Sequence, residues 1–216
     1  MKIPDLVDTN LTVQNDVAIV TLDRDDVRNA LTGTAIIADI ISLCDWVNSN
    51  NSIGAMVITG SGKAFSAGGN IKDMRDKKGD IFGGTPISQQ DGYRGGIQRM
   101  SQALYALEIP LLAAVNGPAV GAGLDLICMC DIRFGCQFSK VGETFVNLGL
   151  IPGDGGAWFL PRIVGHQRAA EMTFSGRILS AEEANEVGIF DDGSIDKDCL
   201  LYTSPSPRAL STSRMP

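Results

Sequence analysis

The sequence has few of the residues from which metal, redox and hydrolytic sites are usually built. Its one histidine, His166, argues against a Ser-His-Asp triad and against a histidine-based metal site. The cysteines lack the paired C-x-x-C spacing of zinc and redox sites, and we interpret them as reduced thiols, most of them in the core. The five are Cys44, Cys128, Cys130, Cys136 and Cys199.

Long apolar runs and basic clusters are also missing. The sequence has no apolar run of 18 residues or more, and the N-terminal segment 1–5 lacks the apolar part of a signal peptide. With 18 basic and 25 acidic residues the net charge is −7, which disfavours nucleic acid or an anionic membrane as the principal partner. The sequence predicts a soluble, cytoplasmic protein.

What is present is typical of a globular protein with alternating strands and helices. Of the 216 residues, 44% are hydrophobic and 20% are charged, which fits one domain with an extension. Hydrophobic periodicity predicts an α/β fold. The predicted elements are a hairpin over 11–22, a helix over 32–48 capped by Thr32 or Thr34, a strand over 53–59, a helix over 87–108, strands over 111–115 and 132–136, and helices over 157–165, 166–174 and 180–186.

The character of the chain changes near Asp191. Residues 201–216 are rich in proline, serine and threonine and show no period. The stretch 199–208 resembles translated adapter sequence rather than protein selected to fold. We therefore predict a core domain over 1–190 and a disordered tail, foreign to the domain, over 191–216.

An apolar run followed by small residues is the most informative segment. After the predicted strand the chain must turn at 116–118, and Gly121, Ala122 and Gly123 leave backbone amides open to close approach. Asp125 follows among apolar residues, and a buried acid demands an explanation. By itself this motif is also compatible with tight strand-to-helix packing, with Asp125 bonded to a nearby amide.

Two other segments have the same small-residue character. One is the loop 63–72, which contains Gly68 and Gly69, and the other is the glycine-rich loop 149–156. Lys72, Arg75, Lys77 and Lys78 follow the first of these loops, and a solvated face explains them better than a phosphate site does.

Together, the three segments resemble the crotonase superfamily, also called the enoyl-CoA hydratase/isomerase family, from about residue 19 to residue 190. The resemblance implies a ββα spiral with two nearly perpendicular sheets, here lacking the C-terminal helical region. It also implies an acyl-CoA enzyme that acts without a separate cofactor or metal, since coenzyme A enters with the substrate. A homotrimer or hexamer is implied for a full-length chain.

The resemblance also implies roles for single residues. The amides of Gly69 and Ala122 would hold a thioester oxygen, and Asp125 stands at the first catalytic glutamate of hydratases. We include Glu143 as a further catalytic candidate. The substrate- and CoA-binding candidates are Arg28, Ala30, Ala67, Gly69, Asn70, Ile71, Lys72, Gly121, Ala122, Phe145 and Gly153. Asn70 replaces a frequent aspartate, and we expect its role to be structural.

One departure from the family bears on the reaction. The second catalytic glutamate of hydratases falls at Phe145, while Glu143 and Asp154 are near in sequence but not at that position. This favours double-bond isomerisation or a related proton transfer by Asp125 alone. The alternatives are a hydratase using Asp125 with Glu143 or Asp154, a non-catalytic crotonase-like fragment and, less favoured, a thioesterase or dehalogenase with Asp154 as nucleophile.

Overall fold

The computed structural model describes residues 2–191, except for the side chain of Asp80. The predicted tail over 191–216 therefore lies outside the described residues from position 192 onward. No helix within 2–191 is both long and apolar enough to cross a bilayer.

Two sheets form the frame of the described part. Their strands are β1 (Thr9–Gln14), β2 (Val17–Leu22), β3 (Ala55–Gly60), β4 (Leu111–Val115), β5 (Pro118–Val120), β6 (Ile132–Gly135), β7 (Lys140–Gly142) and β8 (Ile178–Leu179). The larger sheet has the order β1-β2-β3-β4-β6, with β1 and β2 antiparallel and the remaining neighbours parallel, and the smaller has the order β5-β7-β8.

Helices cover the sheets and pack on one another, α1 on α5, α6 on α7 and α7 on α8. The helices of the described part are α1 (Ile36–Asn48), α2 (Ile71–Asp76), α3 (Gly79–Phe82), α4 (Pro86–Gly95), α5 (Ile97–Tyr105), α6 (Ala122–Cys128), α7 (Gly156–Val164), α8 (His166–Ser175) and α9 (Ala181–Glu186). Short 3-10 turns lie at Asp25–Val27 and Thr144–Leu148.

The burial pattern of each strand follows from its place in the larger sheet. In β2, Ala18, Val20 and Leu22 face the main core and their neighbours are only partly buried, as alternation predicts. The central strands β3 and β4 are buried on both faces, which requires continuous apolar runs. The predicted α/β architecture with two sheets is confirmed.

Two local predictions are wrong or incomplete. The N-cap of α1 is Ala35 rather than Thr32 or Thr34, although the Thr34 hydroxyl accepts a hydrogen bond from the Ile36 amide at 3.4 Å. Asp8, which is remote in sequence, accepts a hydrogen bond from the Ala35 amide at 2.6 Å. The single helix expected over 87–108 is two helices, because Gly96 breaks from helical geometry with ψ −105°.

Short elements that depend on tertiary pairing were also missed. β5, β7 and β8 have two or three residues each, too few for a period to be detected. The capping box of Ser180 and Glu183 at α9 is confirmed.

Candidate active site

The first loop (residues 63–72) and the second loop (residues 116–123) lie side by side. Ser66 forms a parallel bridge with Ala119, and the Val120 amide donates to the Ser66 carbonyl at 3.1 Å. A Cβ at Gly68 would lie 2.5 Å from the Val120 carbonyl oxygen and 2.9 Å from the Ala122 nitrogen. With φ at +74° as well, position 68 requires glycine, and this residue brings the two loops into contact.

Hydrogen bonds leave one amide of the glycine turn in the first loop unpaired. The paired amides donate from Ala67 to the Arg28 carbonyl (2.9 Å), from Gly68 to the Ser66 hydroxyl (3.1 Å) and from Asn70 to the Thr32 hydroxyl (2.8 Å). Within the described residues, the Gly69 amide donates to no acceptor, and neither does the Ala122 amide at the start of α6. The two loops thus present free donors.

Asp125 lies in the first turn of α6, and its side chain is completely buried. Neither carboxyl oxygen has a hydrogen-bond partner among residues 2–191. A Cβ at Gly156 would collide with this carboxyl group, so the start of α7 packs directly on it. Burial raises the pKa of Asp125 well above its usual range, and the nearby charges of Asp154 and Glu143 raise it further.

Two further carboxyls lie beside Asp125. Glu143 follows β7 and is completely buried, while Asp154 lies in the third loop, residues 149–156, with 3% exposure. In the described part of the chain, their carboxyl oxygens have no hydrogen-bond partner either. Burial raises the pKa of Asp154, and it raises the pKa of Glu143 to about 7. We call Asp125, Glu143 and Asp154 the acid cluster.

The three carboxyls of the acid cluster affect one another's ionisation. A proton on Asp125 can be shared with Glu143 or Asp154, which favours the ionised form of those two residues and the protonated form of Asp125. Three adjacent carboxylates without an ion-pair partner cannot all remain ionised in a dry interior. Burial therefore favours a protonated carboxyl in the cluster at pH values where an exposed acid is ionised. Residues 2–191 contain no group of three or more His, Cys, Asp or Glu arranged to hold a metal ion.

Five of the predicted site residues come together around these groups. Gly69, Gly121, Ala122, Asp125 and Glu143 belong to the paired loops or to the acid cluster. Asp154 lies with these residues, although the sequence predicts it only for two alternative reactions and not for the site itself. The one sequence feature that could have identified it is its position as an acid between two glycines.

Phe145 also lies at the site, although it cannot act as an acid. Its side chain is buried, and its ring tip lies 4.0 Å from the place of a Cβ at Gly121. Phe145 therefore forms part of the apolar wall of the site.

The remaining candidates lie on the outer side of the first loop. Arg28, Ile71 and Lys72 are exposed, whereas Ala30 is buried and offers only its backbone. The Asn70 side chain caps α2 by accepting from the Lys72 amide at 3.0 Å and from the Asp73 amide at 3.4 Å, which confirms its structural role.

Gly153, the last of the predicted residues, directly precedes Asp154, and its nearest neighbour is the ring of Tyr93 in α4. Tyr93 and Phe82, which lies beside Gly69, were both missed by sequence reasoning. The 87–108 periodicity concerned only the core face of the helix and gave no reason to select Tyr93.

Comparison with known proteins agrees with this geometry. The sequence profile of the family described as enoyl-CoA hydratase/isomerase matches residues 12–197. YngF of Bacillus subtilis, named as an enoyl-CoA hydratase/isomerase, is 33% identical over 93% of this chain and 74% of its own length. Among solved structures, an enoyl-CoA hydratase from Bacillus anthracis aligns with TM-score 0.77 and 29% identity over 85% of this chain and 69% of its own.

A Streptomyces coelicolor protein described as an enoyl-CoA hydratase aligns with TM-score 0.82 and 26% identity over 97% of this chain and 74% of its own. The profile match spans all three loops and every strand of the described part except the first residues of β1. The chain belongs to the enoyl-CoA hydratase/isomerase family, a family of lyases and isomerases.

Proposed function

We propose that this protein binds an acyl-CoA thioester and moves a proton along its acyl group through an enolate, with double-bond isomerisation as the leading reaction. The observation that carries the proposal is the acid cluster, whose completely buried Asp125 lies one helical turn from the unpaired amide of Ala122. Residues three apart on a helix share a face, so both groups can reach one bound thioester.

In this proposal the amides of Gly69 and Ala122 hold the thioester oxygen. Removal of a proton from the adjacent carbon delocalises negative charge onto that oxygen, and two fixed donors stabilise the charge. The support is that both amides are unpaired and that the contact at Gly68 holds their loops together. Only the main chain acts, so alanine at position 122 is compatible with the role.

The acid cluster supplies the base. In the proposed cycle Asp125, ionised by passing its proton to Glu143 or Asp154, takes a proton from the carbon next to the thioester and leaves an enolate. It then returns a proton two carbons further along, which shifts the double bond and regenerates the carboxylate. A raised pKa brings an aspartate closer to the working pH of an acid/base catalyst.

Coenzyme A would lie along the outer side of the first loop. Arg28 and Lys72 are exposed there, and within residues 2–191 neither forms an ion pair, so both can meet phosphate groups. We expect no separate cofactor, because the thioester brings coenzyme A with it. Trimeric or hexameric assembly and a cytoplasmic location remain predictions.

Hydration of a 2-enoyl-CoA is the second candidate, and one observation favours it. The residue at the second glutamate position is Phe145, yet Glu143 and Asp154 place carboxyls beside Asp125 by another route. Two carboxyls could orient an attacking water. Relatives such as the B. anthracis protein are named as hydratases.

Product analysis tests the proposal and separates the two reactions. Purified protein is incubated with 2-octenoyl-CoA and with 3-octenoyl-CoA, and the products are analysed by chromatography and mass spectrometry. Isomerisation interconverts the two thioesters at unchanged mass, whereas hydration adds one water to the 2-enoyl thioester. The free octenoic acids serve as controls and should not react. If neither thioester reacts at micromolar enzyme, the proposal fails.

A further inference from the structure

Two aromatic side chains bridge the first and third loops. The rings of Phe82 and Tyr93 meet edge to face, with centroids 6.2 Å apart and an interplanar angle of 80°. A Cβ at Gly69 would meet the Met74 methyl first, and beyond it the Thr32 hydroxyl at 3.8 Å and the Phe82 ring tip at 3.9 Å. The Tyr93 Cε1 atom lies 3.2 Å from the place of a Cβ at Gly153. Beside Met74, the aromatic pair therefore reaches from the neighbourhood of Gly69 to the residue before Asp154.

The Tyr93 end of the pair is held in place by α5. The Gln98 side chain donates to the Gly153 carbonyl at 2.7 Å, and the Ser101 hydroxyl donates to the Asp154 carbonyl. Burial raises the pKa of the Tyr93 phenol, and the charge of Asp154 raises it further, as expected for a ring close to the acid cluster. The third loop, α4 and α5 thus form one packed unit.

Phe82 also lines a cavity of about 790 Å³. Apolar side chains and glycines of α1, α3 and α4 form much of its wall, including Ile37, Ile41, Ile81, Gly92 and Gly95. Five charged residues line it as well, and three of them are already in ion pairs: Arg24 with Asp8 and with Asp26, and Lys78 with Asp76. A cavity of this size can take an alkyl chain of about ten carbons or more.

We propose that the aromatic pair is the wall that sets the acyl-chain length of the site, and that Phe82 closes the passage from the site into this cavity. The inference rests on the proposed function. In this arrangement the thioester oxygen meets the amides of Gly69 and Ala122, and the acyl carbons reach Asp125. The acyl chain then runs along the space between the first and third loops, which the aromatic pair spans. Short acyl groups end at the pair, and longer ones must displace Phe82.

Binding of unreactive thioesters tests this without requiring turnover. We compare butanoyl-CoA and dodecanoyl-CoA by calorimetry in the wild type and in Phe82→Ala. Each methylene moved out of water strengthens binding about fourfold, so entry of even two methylenes into the cavity should strengthen dodecanoyl-CoA binding by about fifteenfold. Butanoyl-CoA should change by less than about threefold. An unchanged ratio of the two dissociation constants would overturn the inference.

Two variants at the other ring serve as matched controls. Tyr93→Phe keeps the ring and should leave the preference unchanged, whereas Tyr93→Ala should favour dodecanoyl-CoA as Phe82→Ala does. If the chain-length preference shifts as much in Tyr93→Phe as in Tyr93→Ala, the effect comes from the hydroxyl, and the proposal that the ring forms the wall is refuted. If thermal melts show Phe82→Ala to be unfolded, Phe82→Leu replaces it, with the same sign expected. Failure of wild type to bind either thioester would instead refute the proposed function.

Discussion

Two aspartates in the first turns of helices, Asp39 in α1 and Asp125 in α6, are both buried yet have opposite surroundings. The Asp39 carboxylate accepts hydrogen bonds from the Val7 amide at 3.1 Å, the Asp8 amide at 2.7 Å and the Thr9 hydroxyl at 3.1 Å. Within residues 2–191 no donor reaches Asp125, whose neighbours include two more acids.

The difference is the one expected between a structural acid and an acid with the catalytic role proposed for Asp125. Three donors stabilise the charge of Asp39 and anchor the N-terminal segment to α1, so its burial costs little. No comparable set of amide and hydroxyl donors among residues 2–191 offsets the burial of Asp125, so burial favours its protonated form. Such a group persists when it has a chemical task, and strongly shifted acids are enriched at active sites for that reason.

The largest expected effect is on turnover in Asp125→Asn. The amide keeps the shape of the side chain but cannot take a proton, so we expect the rate to fall by about 10²- to 10⁴-fold. Stability should be unchanged or higher, because a buried ionisable group is removed. Steady-state kinetics with the active octenoyl-CoA and urea denaturation measure the two quantities.

The same measurements on Asp39→Asn provide the matched control. Turnover within about tenfold of wild type in Asp125→Asn, with normal acyl-CoA binding, would make Asp125 structural and pass its role to Glu143 or Asp154.

Stability should respond in the opposite way at Asp39. In Asp39→Asn the new amide would present an NH₂ group where one carboxylate oxygen accepts, leaving donors of the N-terminal segment unpaired. We expect this substitution to lower the free energy of unfolding by about 2–4 kcal/mol, while turnover per folded molecule stays near wild type. Urea denaturation gives the first quantity. A loss below about 0.5 kcal/mol would show that these bonds contribute no net stability.

A smaller effect is expected in the pH dependence of stability. Because the pKa of Glu143 is raised on folding to about 7, the folded state holds a proton that the unfolded state releases near pH 4.5. As the pH rises from 4.5 to about 7, the free energy of unfolding should therefore fall, by on the order of 1–3 kcal/mol for this residue.

Glu143→Gln cannot lose a proton at this position and should flatten that fall. Urea denaturation at several values from pH 4.5 to pH 8 makes the measurement. Parallel pH profiles for wild type and Glu143→Gln would contradict the assigned ionisation. Asp26, Glu171 and Glu183 have lowered pKa values, so their contributions change only at lower pH.

Sequence reasoning succeeded where the relevant signal is local. The turn at Asn15, the apolar runs of β3 and β4, and the capping box at Ser180 are each contained within a few residues. The burial of Asp125 was readable from its apolar neighbours along one helix.

What could not be predicted depends on contacts remote in sequence. Nothing in the sequence states that Glu143 and Asp154 converge on Asp125, or that the Ala35 amide is capped by Asp8. The break at Gly96 is a further example, since the periodic apolar residues all follow it and only the backbone geometry shows that a separate helix precedes it. A single sequence shows the hydrophobic pattern of each helix and strand. It does not show which residues, remote in sequence, the folded chain brings into contact.

The bridge between Ser66 and Ala119 makes the first and second loops one cooperative unit. Because the Ser66 hydroxyl also donates to the Asn29 carbonyl at 2.7 Å, the segment before α1 belongs to the same unit. Opening any of the three segments breaks hydrogen bonds to the other two. A fluctuation that separates the Gly69 and Ala122 amides therefore has a free-energy cost close to that of subglobal unfolding, and higher than that of loop fraying. The spacing of the two amides is therefore as durable as the sheet beneath them.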